Sequence, residues 1–153
     1  MSLYFDFHCH LADEQYTPEE VSKILSICQQ QNITICSMST NFEDFKINLE
    51  YSNQPNVLTG FGIHPYESHK IVQIPNWEEK IKQTIEKHKE LINFIGEVGL
   101  DFYKMKHTDK QQIEVFEYFT YLSSEYNLPL SIHTRSAEKE VCKILTKYQK
   151  KKK

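Results

Sequence analysis

The stretch "INFIGEVGL", Ile92 to Leu100, reads as a β-strand without a polar face. Apolar residues run through it continuously instead of alternating with polar ones. Such a strand belongs to a parallel sheet covered by helices. Glu97 interrupts the run. A carboxylate inside an apolar strand is costly unless it is paired or coordinated. The stretch therefore raises two questions: which parallel sheet it belongs to, and what Glu97 faces.

Strand and helix signals alternate on both sides of it. "LYFDFHCHL" is rich in aromatics and predicts a first strand. "YTPEEVSKILSICQQQN" predicts a helix: Thr17 and Glu20 stand in capping-box spacing, Pro18 suits the first turn, and Asn32 is a stop. "ITICSMS" and "NVLTGFGIH" predict the second and third strands. They are followed by helices over "NFEDFKINLEYSNQ", capped by Asn41, and "NWEEKIKQTIEKHKE", capped by Asn76. After the Glu97 strand come a helix over "TDKQQIEVFEYFTYLSSEYN" with Thr108 and Gln111 in capping-box spacing, a fifth strand "LPLSIHT", and a helix over "SAEKEVCKILTKYQ".

Five β–α units satisfy either a doubly wound open sheet or a (β/α)8 barrel. Polar residues cluster where strands end: His8 and His10, His64, Glu97, and His133. In a barrel these ends converge on one mouth; in a flat sheet they would spread apart. The expectation is a parallel α/β fold of the barrel type, incomplete. A full barrel has eight units and about 250 residues. This chain of 153 residues reaches five and ends in "KYQKKKK". It is read as one domain over residues 1–153, ending before the last three units.

Composition narrows the classes. The chain is 39% hydrophobic and 25% charged, as in a globular protein. Its net charge of −3 gives no global basic footprint for nucleic acid, so phosphate contact would be local or run through a metal. No apolar stretch approaches membrane-spanning length, and the N-terminus lacks the pattern of a signal peptide. Cys9, Cys28, Cys36 and Cys142 show no CxxC spacing. They are expected to be small buried hydrophobes in a reducing compartment, which places the chain in the cytoplasm.

His8 and His10 lie two residues apart on a strand, so they share a face that Cys9 does not. Two adjacent imidazoles suit a metal ion; an unrelated pair of polar residues is the other reading. Glu97 and His133 complete a set of imidazoles with a carboxylate, a common donor set for divalent metals. The two oxygens of Glu97 could bridge two ions. Paired ions can stabilise the attacking and leaving oxygens of a phosphoester together.

Four motifs, "DFHCHL", "GIHPY", "IGEVGLDFY" and "LPLSIHTRSA", in this order and spacing, resemble the TatD family of metal-dependent deoxyribonucleases, within the amidohydrolase-like barrel group. The resemblance runs from the first strand to about Lys147. It implies a (β/α)8 barrel and divalent-metal hydrolysis of DNA phosphodiesters, often 3′→5′. By motif, His8 and His10 would hold a first metal, Glu97 would bridge, and His133 would hold a second. Two ions, Mg²⁺ or Mn²⁺ with Zn²⁺ as an alternative, are implied for a complete site. The family pattern also has a later histidine and a water-activating aspartate, which no segment here replaces, so no catalytic residue is assigned.

Other residues carry two readings each. His64 would touch a phosphate or a water, or make a turn hydrogen bond. Arg135 would hold a phosphate through its guanidinium, or form a salt bridge at a helix entry. Asp101 and Tyr103 would support metal ligands or shape a loop. The expected function is a metal-dependent DNA hydrolase. The alternatives are an inactive partial barrel and a half-barrel that needs a partner chain. Open strand edges suggest self-association.

Overall fold

The structure, a computed structural model, describes residues 4–105 and 107–149. Five strands alternate with six helices: β1 (Tyr4–Cys9), α1 (Pro18–Gln30), β2 (Ile33–Ser37), α2 (Phe42–Tyr51), β3 (Val57–Phe61), α3 (Pro65–Ile71), α4 (Trp77–Lys87), β4 (Ile92–Asp101), α5 (Asp109–Tyr126), β5 (Leu130–Arg135) and α6 (Glu138–Gln149). All strand pairs are parallel, and the sheet order is β1-β2-β3-β4-β5. That order decides between the two candidate folds. A doubly wound sheet reverses direction at a switch point; this sheet winds one way, as part of a barrel does.

Local chemistry explains the helix starts. Thr17 and Glu20 form the expected capping box, and Asn41 accepts the Asp44 N–H at 2.9 Å. Two expected caps make no capping bond. Asn76 takes a left-handed φ of 56° and makes no side-chain cap bond. Thr108 does not cap α5: its hydroxyl donates to the Met105 carbonyl and accepts from Gln112. The extra helix is α3. Its first turn begins at Pro65, and His64 caps it by accepting the Tyr66 N–H at 3.2 Å.

The main core lies between the sheet and helices α2 to α6. Phe61, Ile95, Val98 and Leu100 from the strands pack on Ile81, Ile85, Phe116, Phe119 and Ile144 from the helices. A smaller cluster of Leu11, Val21, Leu25, Ile35 and Val57 seats α1. The opposite, concave face of the sheet is an open apolar trough of about 440 Å³ between Phe7, Met38, Leu58, Phe94 and Ile132. The terminal strand β1 is largely exposed there. Among the described residues, no helix is long and apolar enough to cross a membrane.

The run Ile92–Leu100 holds the feature that aims the site. Ile95 and Val98 both face the helix-covered core although they stand three positions apart. Strict alternation would put them on opposite faces. The register of β4 against β5 shifts between these two residues. The slip turns Glu97 away from Ile95 and toward the mouth of the half-barrel.

Candidate metal centre

His8, His10, His64, Glu97 and His133 meet at one end of the sheet. Glu97, 6% exposed, sits at their centre. Its Oε2 lies 3.3 Å from His8 Nε2 and 3.4 Å from His10 Nε2, and the two imidazole nitrogens are 3.1 Å apart. Its Oε1 lies 3.0 Å from His133 Nδ1 and 3.8 Å from His64 Nε2, with the two histidines 3.4 Å apart. Each carboxylate oxygen therefore forms a triangle with a pair of imidazoles. A tetrahedral ion with bonds of about 2.0–2.1 Å sets its ligand atoms roughly 3.3 Å apart. The His8–His10–Glu97 triangle has that size; the second is looser, its long edge the 3.8 Å between His64 Nε2 and Glu97 Oε1. His8, His10 and Glu97 could hold one ion, and His64, Glu97 and His133 a second.

Backbone packing places these groups. A side chain on Gly62 would put its Cβ 2.6 Å from the Glu97 carbonyl oxygen. Gly99, at φ +147°, lets β4 approach the backbone of His133; a Cβ there would fall 1.9 Å from the His133 carbonyl oxygen. Gly99 pairs with His133 in the β4–β5 ladder. Only glycine fits both the dihedral and the space.

Electrostatics follow from the crowding. Burial alone would raise the Glu97 carboxyl. Hydrogen bonds with His10 and His133, with His64 and His8 nearby, instead hold it well below the usual carboxylate range. The hydrogen bond to Glu97 raises His10 and His133 above ordinary imidazole, against the effect of burial. His64 goes the other way: burial lowers it to about 4 despite the pull of Glu97.

Asp101 is fully buried behind His133. Its Oδ2 lies 3.2 Å from His133 Nε2, accepts the Tyr66 hydroxyl at 3.2 Å, and sits 3.7 Å from Arg135 Nε. Its Oδ1 accepts the N–H groups of Tyr103 and Lys104 at 3.0 and 2.8 Å. Asp101 thus meets both sequence readings: it shapes the loop and orients an imidazole whose other nitrogen faces the site. Arg135 is engaged with Asp101, the salt-bridge reading, and its side chain is 44% exposed. Tyr103 is exposed and meets Asp101 through its backbone.

His64 makes the turn hydrogen bond through Nδ1. A neutral imidazole has one lone pair and one N–H. With Nδ1 accepting, the proton sits on Nε2, which faces Glu97 and His133. His64 enters the site as a donor, and ligation through Nε2 would require giving up the Tyr66 bond. Its convergence on the mouth was expected from its position after the third strand, but its grouping with Glu97 and His133 at ligand-like distance was not. The cysteines depart from expectation in part: Cys36 is buried, Cys9 and Cys28 are half-buried, and Cys142 is exposed.

The family model for TatD-related DNase matches residues 5–153. The chain belongs to this family. A relative from Haemophilus influenzae, named an uncharacterized metal-dependent hydrolase, is 30% identical over 139 residues, covering 86% of this chain and 52% of its own. Two solved structures share the fold: the TatD homologue YjjV of Escherichia coli and a TatD-family hydrolase of Entamoeba histolytica. Each has a TM-score of 0.82 at 22% identity. They cover 95% and 97% of this chain, and 56% and 55% of their own. The chain spans about half the length of the curated relatives it matches.

Proposed function

We propose that this chain carries the metal-binding half of a TatD-type phosphodiesterase acting on DNA, with a 3′→5′ polarity. The observation that carries this reading is the division of Glu97: one oxygen faces His8 and His10, the other His133 and His64. A carboxylate so placed suits two ions sharing one ligand. Bound divalent ions supply Lewis acidity toward a phosphoryl oxygen and acidify water. Because imidazoles dominate the donor set, Mn²⁺ or Zn²⁺ fits better than Mg²⁺.

The other roles belong to the protein. His8 and His10 present their Nε2 atoms together from the end of β1. Asp101 fixes the ring of His133. His64 donates its Nε2 proton toward a phosphate oxygen, and Arg135, half-exposed beside Asp101, offers the second contact. The four free cysteines suit a cytoplasmic setting.

A second reading, metal binding without turnover, is favoured by a specific observation. Among the described residues, the carboxylates paired with the imidazole rings of the cluster are Glu97 and Asp101, and Asp101 is fully engaged. Neither is free to take a proton from water. A 5′-labelled single-stranded oligonucleotide incubated with Mn²⁺ separates the two. Stepwise shortening that Glu97→Gln abolishes supports the nuclease. Intact DNA alongside retained metal binding supports the second reading.

A further inference from the structure

The segment Ser37–Thr40, at the exit of β2, contributes no side chain to the metal centre. Yet its backbone touches three of the elements that build it. The Met38 N–H donates to the Cys9 carbonyl at 2.8 Å, between His8 and His10. Ser39 exchanges two bonds with β4: its N–H donates to the Gly96 carbonyl at 3.2 Å, and its carbonyl accepts the Glu97 N–H at 3.0 Å. The Thr40 carbonyl accepts the His64 N–H at 2.8 Å. One short segment thus ties the paired histidines, Glu97 and His64 together.

A single side chain anchors that segment from behind. Asn48 of α2 is fully buried. Its Nδ2 donates to the Met38 carbonyl at 2.9 Å and to Ser39 Oγ at 3.0 Å. Its Oδ1 accepts the Ser37 hydroxyl at 2.7 Å. Ser39 Oγ passes its own proton to the Gly60 carbonyl at 2.7 Å, and Ser37 Oγ accepts the Leu11 N–H at 3.3 Å. Both N–H groups and the oxygen of the amide are used. A buried polar network that is fully satisfied fixes geometry, whereas one with a missing member leaves groups unpaired and free to shift.

We propose that Asn48 is a positioning residue for the metal centre: through Ser37–Thr40 it holds the β1 histidines at ligand distance from Glu97. Apolar residues of the same size could fill the space at this helix position, but they could not hold three strand ends in one register. The inference rests on the metal reading of the site. Loss of a supporting hydrogen bond behind metal ligands lowers affinity by about 10- to 100-fold.

The test is Co²⁺ titration of the full chain, followed by visible absorption and calorimetry, on wild type, Asn48→Ala, Ser37→Ala and Ile85→Ala. Ile85 is fully buried in the helix-side core and serves as a control for general destabilisation. Ser37→Ala removes one donor from the network and is small enough to fold if Asn48→Ala does not. Expected are Co²⁺ affinities at least about 10-fold weaker and an altered ligand-field spectrum for Asn48→Ala. Ser37→Ala should shift both in the same direction but less, while folded Ile85→Ala keeps the wild-type spectrum and affinity. Wild-type affinity and spectrum in either network variant overturn the positioning role and leave the metal reading standing. A wild type that binds no Co²⁺ overturns both.

Discussion

Burial acts on Glu97 and on Cys9 in the same sense, but only Glu97 has partners that reverse it. Cys9 is pushed from 9.0 up to about 12, by burial first and then by Asp6 nearby. Burial likewise raises Tyr118 and Tyr126 from 10.0 to about 12. In each case the native chain keeps a proton that the unfolded chain loses. The unfolded state therefore binds fewer protons between about pH 9 and 12, and stability falls as pH rises through that window. The urea midpoint is expected to drop steadily from pH 9 to pH 11; a level or rising midpoint contradicts the assignment. At this scale much of the site was legible. His8 and His10 are two apart on a strand, and that spacing alone puts them on one face. Glu97 announced itself as a charge in an apolar run. The ring orientation of His64 was not legible, because it depends on the short helix α3 capturing Nδ1.

Elements differ in how much their ends tolerate. Thr17→Ala removes one cap of an exposed helix start and is expected to cost about 1 kcal/mol. Gly99→Ala meets a backbone oxygen and a positive φ at once, and is expected to cost well over about 2 kcal/mol. It should also weaken metal binding, because the clash is with the residue that carries the His133 ring. Thermal unfolding of the two variants checks the order; equal melting temperatures would show that β4 and β5 can separate without loss. The strands and helices were readable from continuous apolar runs and helical spacing. The slip of alternation between Ile95 and Val98 was not. A run apolar on both faces carries no phase, so nothing in "INFIGEVGL" says which way Glu97 turns. The caps at Asn76 and Thr108 misled although the residue types were right: Asn76 takes a left-handed backbone conformation, and Thr108 turns its hydroxyl to the nearby Met105 carbonyl and Gln112.

Over the whole molecule, the curl of the sheet leaves one side without cover. Phe7 is 72% exposed and Tyr4 61%, and Phe5 and Phe7 stack on each other at 5.6 Å along β1. Phe7 also lines the concave trough. Exposed apolar surface beside an edge strand promotes pairing with other chains. The chain is expected to associate with rising concentration, and Phe7→Lys to reduce that association. Light scattering behind a sizing column reads both. A monomer at every concentration would show that the edge is silent. The barrel curvature was inferable because polar residues from separate strand ends had to converge; the consecutive strand order then supplied the proof.

Glu97 is proposed to join two metal sites. Calorimetric titration of the metal-free chain with Mn²⁺ tests it most directly. Expected are two binding events in the wild type, loss of one on His8→Ala, and loss or severe weakening of both on Glu97→Gln. Binding unchanged by Glu97→Gln, or no binding by the wild type, would contradict it.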